Sequence, residues 1–150
     1  MLHHVFSAAC QSAAVDQFTN SISIQSVVEK LDAVAAEPVP ITDPPQAIPF
    51  NFFIVSLWFN GGDSEGIVKQ RFRMAAPDGT TTSAGFEASL TVQPRASQRI
   101  VARVPGILFK GNGVYWIKID VQDGNHWKSV ASLPMIVQVT VVKNSMGVHT

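Results

Sequence analysis

Gly111-Asn112-Gly113-Val114-Tyr115-Trp116-Ile117-Lys118-Ile119-Asp120-Val121-Gln122-Asp123-Gly124-Asn125 decides the reading of this chain. The stretch is a tight entry, a β-strand and a tight exit. Its middle is Val, Ile, Tyr and Trp, side chains that suit a pleated, half-buried surface. Tyr115, Ile117, Ile119 and Val121 fall on one face, and Val114, Trp116, Lys118 and Asp120 on the other. Asp123-Gly124 supplies the turn that follows. The remaining β-runs are expected to pack around this strand.

Before it, Ile100, Ala102 and Val104 alternate and stop at Pro105-Gly106. Phe86, Ala88, Leu90 and Val92 alternate against Glu87, Ser89 and Thr91. Val68, Phe72 and Met74 alternate against Lys69, Arg71 and Arg73, and Pro77-Asp78-Gly79 is a turn in which proline presets φ and glycine accepts φ > 0. Asn51 to Asn60 is the most apolar run, with Phe53, Val55, Leu57 and Phe59 on one face and Phe52, Ile54 and Trp58 on the other. Ahead of it, Glu37 to Pro49 holds Pro38, Pro40, Pro44, Pro45 and Pro49 and reads as an extended surface connection. Ile22-Ser23-Ile24 begins with strict alternation, while Val27 to Ala36 fits either a strand or a helical turn. His4 to Cys10 is a short first strand, and Asp16 to Asn20 a turn. A last strand runs from about Lys128 to Val142, and Pro134 inside it marks an edge or a bulge. The tail from Lys143 is expected to be loose.

The sum is about eight strands with no long helix. It predicts a single all-β domain over residues 1–150, an antiparallel β-sandwich of immunoglobulin, fibronectin or C2 type. A chain of this length buries roughly two thirds of its unfolded surface and needs no staple.

Apolar residues make up 46% of the chain and charged residues 15%, with a formal net charge of zero. The low charge argues against disorder and for an apolar surface covered by a partner; neutrality gives no pull toward nucleic acid or an anionic membrane. No apolar run approaches the length of a membrane span. Ser7-Ala8-Ala9-Cys10 has the look of a lipoprotein cleavage box, but no Lys or Arg precedes it, and the apolar run before it is short. A single cysteine, Cys10, fits a reducing compartment, so a cytoplasmic protein is expected.

Gly113-Val114-Tyr115-Trp116-Ile117 resembles the tyrosine-corner strand of immunoglobulin-like and fibronectin-type sandwiches. Ile117 stands where an antibody domain has its cysteine. The resemblance implies that Tyr115 is buried and that its hydroxyl bonds backbone between Pro105 and Asn112. A wider likeness covers about Ala9 to Val139. Ala9-Cys10, Asp16, Ile22-Ser23-Ile24, the proline-rich crossing, Pro77-Asp78-Gly79, Gly113-Val114-Tyr115 and Asp123-Gly124 occur in the order that resembles a family of short, uncharacterised prokaryotic proteins. That likeness implies a sandwich fold, no known activity and no functional residue to carry over.

Searching for chemistry, we find no Gly-x-Ser-x-Gly elbow, and Cys10 sits in a small-residue strand without a base nearby in sequence. Gly111-Asn112-Gly113 is too short to cradle a phosphate, and the spacing of His3, His4, His126 and His149 matches no zinc site. Lys69, Arg71 and Arg73 form a basic stripe that Glu87 can face. Two functions of different class remain. The first is a non-enzymatic module without a cofactor that self-associates or binds another protein through Phe52, Ile54 and Trp58, since aromatics are enriched at interfaces. The second is a ligand- or calcium-binding module built on the acidic loops of Asp63, Glu65, Asp120 and Asp123.

Overall fold

The computed structural model describes residues 1–19, 21–82 and 85–142; Asn20, at the end of the first turn, and the tail from Lys143, with His149, lie outside the described residues. Alternating apolar residues and turn signals produce β1 (Leu2–Val15), β2 (Ile22–Val27), β3 (Lys30–Ala35), β4 (Gln46–Asn60), β5 (Gly66–Ala75), β6 (Phe86–Val92), β7 (Ala96–Phe109), β8 (Gly113–Asp123) and β9 (His126–Val141). No helix occurs among the described residues. One sheet has the order β2-β1-β4-β7 and the other β3-β9-β8-β5-β6. Their inner faces share a core in which Phe52 and Ile54 of the first sheet meet Phe72, Ile117 and Met135 of the second.

The ambiguous Val27–Ala36 stretch is two strands. Ser26 takes a left-handed φ of 56°, and the chain leaves the first sheet after Val28, whose N–H donates to the Ala9 carbonyl. Buried Val28 and Leu31 pin the crossing, and β3 joins the second sheet. It runs parallel to β9, Lys30 opposite Ile136 and Ala35 opposite Val141, so the expected purely antiparallel arrangement is corrected. A crossing between layers can deliver a strand in either direction, and alternation alone does not encode which.

Pro105 acts differently from its sequence reading, and Pro134 acts as read. Pro105-Gly106 bends a strand that continues to Phe109 instead of ending it. Phe52 pairs with Val104 and Pro49 with Gly106, so two residues of β4 stand against Pro105 in a bulge. Gly106 is required there, because a Cβ would sit 2.6 Å from the Ile48 carbonyl oxygen. Pro134 lies just beyond the reach of β3, whose pairing begins at Ile136, so its missing N–H faces an open edge.

The β7–β8 connection is closed by Tyr115. Its ring is fully buried, the Lys110 N–H donates to its hydroxyl at 2.7 Å, and the hydroxyl donates to the Gly111 carbonyl at 2.8 Å. We expect Tyr115→Phe to lower stability by roughly 0.5–1.5 kcal/mol, the net worth of a hydrogen bond. Tyr115→Ala should cost roughly 3–5 kcal/mol, as for other large aromatics removed from a core. Chemical denaturation of the two variants measures both, and an unchanged Phe variant would remove the corner's role.

Candidate functional site

The inward register of β4 runs Phe52, Ile54, Ser56, Trp58 and Asn60, all buried. Phe52, Ile54 and Trp58 therefore belong to the core of this chain, and their assignment to a subunit interface is corrected. The opposing sheet covers the side that was expected to face a partner or the proline-rich crossing. The outward register carries the other apolar set. Phe53 and Leu57 are half-buried, Phe59 is 37% exposed and Val55 is enclosed between them. The register of β1 brings Phe6 opposite Leu57, Ala8 opposite Val55 and Cys10 opposite Phe53. β7 adds Val101, 44% exposed, and β2 adds Val27, 60% exposed. A sheet face turned to solvent is ordinarily polar; this one has an apolar centre, with Arg99 and Arg103 along one side.

Between the layers lies a polar belt that the sequence reading missed. A bulge between His4 and Phe6 places both His4 and Ser7 inward, although residues three apart in a regular strand face opposite ways. His4 Nε2 is 2.7 Å from Ser7 Oγ, and Ser7 Oγ is 2.7 Å from Ser56 Oγ. Gln70 of the opposite sheet donates from Nε2 to Ser56 Oγ at 3.0 Å and accepts at Oε1 from Trp58 Nε1 at 2.8 Å. The His4 ring meets the Trp58 ring edge-on, with centroids 5.2 Å apart. Burial pushes the His4 pKa down from its ordinary value. One signal for the belt was present in sequence, since Ser56 and Gln70 are polar residues with apolar neighbours on either side in their inward registers, Ile54 and Trp58 in β4 and Val68 and Phe72 in β5.

The outer face of the second sheet holds a charge cluster. Asp120 is almost fully buried; Arg71 Nε and Arg73 Nε donate to its Oδ2 at 2.9 and 2.8 Å. The Arg71 guanidinium lies 4.4 Å from the Trp127 ring centroid, within cation–π range. Lys69 pairs with Glu87 at 3.5 Å, with both side chains exposed. Asp120 is thus committed to two arginines instead of an ion. Asp63 pairs with Arg95 at 2.7 Å, and Asp123 stands opposite His126 in the β8–β9 hairpin. The three aspartates of the calcium reading are not gathered, because the strands hold them in separate pairings. Among the described residues no three of His, Cys, Asp and Glu stand together as metal ligands.

Cys10 is buried, and burial raises its thiol pKa, which disfavours the nucleophilic thiolate. An apolar cleft of about 310 Å³ opens to the core between β5 and β7, lined by Ile54, Phe72, Met74, Ala102, Val104 and Ile117. No helix among the described residues is long and apolar enough to cross a membrane.

These features define an all-β protein of two sheets with a tyrosine corner, an apolar outer face and a polar belt through its core. The chain belongs to DUF6941, a family of unknown function whose model matches residues 5–138. No curated protein matches it. A family 123 glycoside hydrolase from Clostridium perfringens, described for glycolipid glycan hydrolysis, is similar in structure with a TM-score of 0.42 and 10% identity. The match covers 95% of this chain and 28% of that one, and at this level neither chemistry nor residues transfer.

Burial opposes the charge of Asp120, but the hydrogen bonds and charges of Arg71 and Arg73 outweigh it and hold the carboxyl below its usual range. A depressed folded pKa means that the stabilisation is whole above the unfolded value of about 3.9 and is lost as pH falls through the folded value. We expect Asp120→Asn to cost about 1.5–3 kcal/mol at neutral pH, the range for hydrogen bonds to charged groups. The variant should also lose part of the acid dependence of the melting temperature, which calorimetry at neutral and acid pH measures.

Proposed function

We propose that this chain is a non-enzymatic cytoplasmic interaction module that associates with a second copy of itself through the outer face of the β2-β1-β4-β7 sheet. The supporting observation is that face: Phe6, Phe53, Leu57, Phe59 and Val101 lie side by side, and Val55 between them is shut off from water by its neighbours alone. A patch that presents itself identically on two copies can pair about a two-fold axis, the commonest symmetry of homo-oligomers. The non-enzymatic reading rests on commitments. The Ser7 hydroxyl is held by Ser56, the Cys10 thiol is buried and Asp120 is ion-paired. The free, buried cysteine supports a reducing compartment.

The immunoglobulin- or fibronectin-like kinship belongs to this proposal. In the immunoglobulin scheme strands A, B and E share one sheet and C, F and G the other. The order β1-β4-β7 against β9-β8-β5 follows that scheme, β6 pairs beside the C-like strand β5, and Tyr115 opens the F-like strand β8.

Light scattering across a concentration series is the test. The wild-type chain should form dimers, and Val101→Glu, at an exposed position, should remain monomeric with an unchanged fold by circular dichroism. A strict monomer at the highest soluble concentration sinks self-association. The cleft supports a second reading, a site for a small apolar ligand, since its volume lies at the lower end of ligand pockets. An apolar fluorescent dye should bind the wild-type chain and lose binding in Ala102→Phe, which fills the cleft; equal binding by both would exclude it.

A further inference from the structure

We propose that the His4–Ser7–Ser56–Gln70–Trp58 chain is a pH-sensitive lock between the two sheets, set by which ring nitrogen of His4 carries hydrogen. Four contacts link these five side chains. Each contact takes one hydrogen. Trp58 Nε1 only donates, so Gln70 must present its oxygen to Trp58 and its NH₂ to Ser56. Ser56 then donates to Ser7, and Ser7 donates to His4 Nε2. The chain is filled with one direction throughout, and the neutral imidazole must carry its hydrogen on Nδ1.

A proton added at Nε2 brings a fifth hydrogen to four contacts. Whichever way the hydroxyls turn, either Ser7 or Ser56 keeps a hydrogen with no acceptor in the chain. Ser56 is fully buried, so a surplus there lies where water does not reach, and Ser7 is half-buried, so a surplus there turns its hydroxyl out of the chain and breaks its link to His4. No counter-charge relieves it. On β1, His3 stacks on Phe59 of the outward register. β4 offers the Trp58 ring and β5 offers Gln70, while Lys69, Arg71 and Asp120 lie on the far face of their sheet. β9 brings Lys128, opposite Val121, and His126, opposite Asp123, both exposed. The Met1 amino group reaches Asn60 Oδ1 at 3.5 Å. Burial lowers the His4 pKa, and in the lock the surplus hydrogen opposes protonation in the same direction.

The sign follows from linkage. The unfolded chain takes up the His4 proton at the ordinary value of about 6.5, above the folded value. The belt's contribution is therefore whole above that pH and lost as the pH falls through the folded pKa.

Long-range ¹H–¹⁵N spectra of the full chain, titrated from about pH 8 to pH 5 where histidines change charge, test this. His4 should appear as the Nδ1–H tautomer and titrate below the ordinary histidine value of about 6.5. In Ser7→Ala its midpoint should rise toward that ordinary value. His4→Gln, which accepts from Ser7 without titrating, should flatten the loss of melting temperature over the same interval. An Nε2–H tautomer for His4 in the wild-type chain, or a midpoint that Ser7→Ala leaves unmoved, overturns the lock. The wild-type tautomer decides even if a variant does not fold.

Discussion

The Gln70–Ser56 hydrogen bond joins the two sheets through the middle of the core, and much of the arrangement turns on it. Apolar contact between sheets is non-directional and tolerates sliding. A buried amide that must satisfy an indole on one side and a hydroxyl on the other does not. The bond therefore fixes β5 against β4 both along and across the strands. It also divides the interior. The larger cluster around Phe52, Ile117 and Met135 lies on one side, and the smaller one of Trp58, Val68 and Val92 on the other. Every buried polar side-chain atom among the described residues has a partner, so the belt incurs no penalty for unmet groups.

Asn60 extends the same logic to the end of β4. Its amide donates to the carbonyls of Ser64 and Val92 and accepts from the Gly62 N–H. One buried side chain thereby shapes the turn into β5 and ties down the end of β6. At the opposite end Tyr115 does the equivalent for the β7–β8 connection. Single polar residues, each enclosed by apolar neighbours, thus set how the layers meet.

The outer faces have diverged. On the second sheet Asp120 gathers Arg71 and Arg73, and Trp127 lies beside Arg71, so that charge is neutralised on the face itself. On the first sheet the outward residues of β1 and β4 are largely apolar. A chain with only 15% charged residues has few charges to distribute, and most of the pairing goes to one face. The asymmetry gives the molecule one charge-paired outer face and one with an apolar centre.

The sequence by itself determined the all-β class, the strand around Tyr115 and its corner, because alternation and turn chemistry are local properties that need no third dimension. Only the tertiary structure decided which face of β4 points inward. Phe52, Ile54 and Trp58 are as apolar as Phe53, Leu57 and Phe59, and a two-sided apolar strand carries no mark of its covered side. The parallel placement of β3 and the belt were also decided there. The first depends on how a crossing between layers returns. The second depends on a bulge at Val5 that turns His4 and Ser7 to the same side. Asp120 reads in sequence as a turn-end carboxylate like Asp123; pairing between β5 and β8 gave it two arginines, a long-range register that a single strand does not contain.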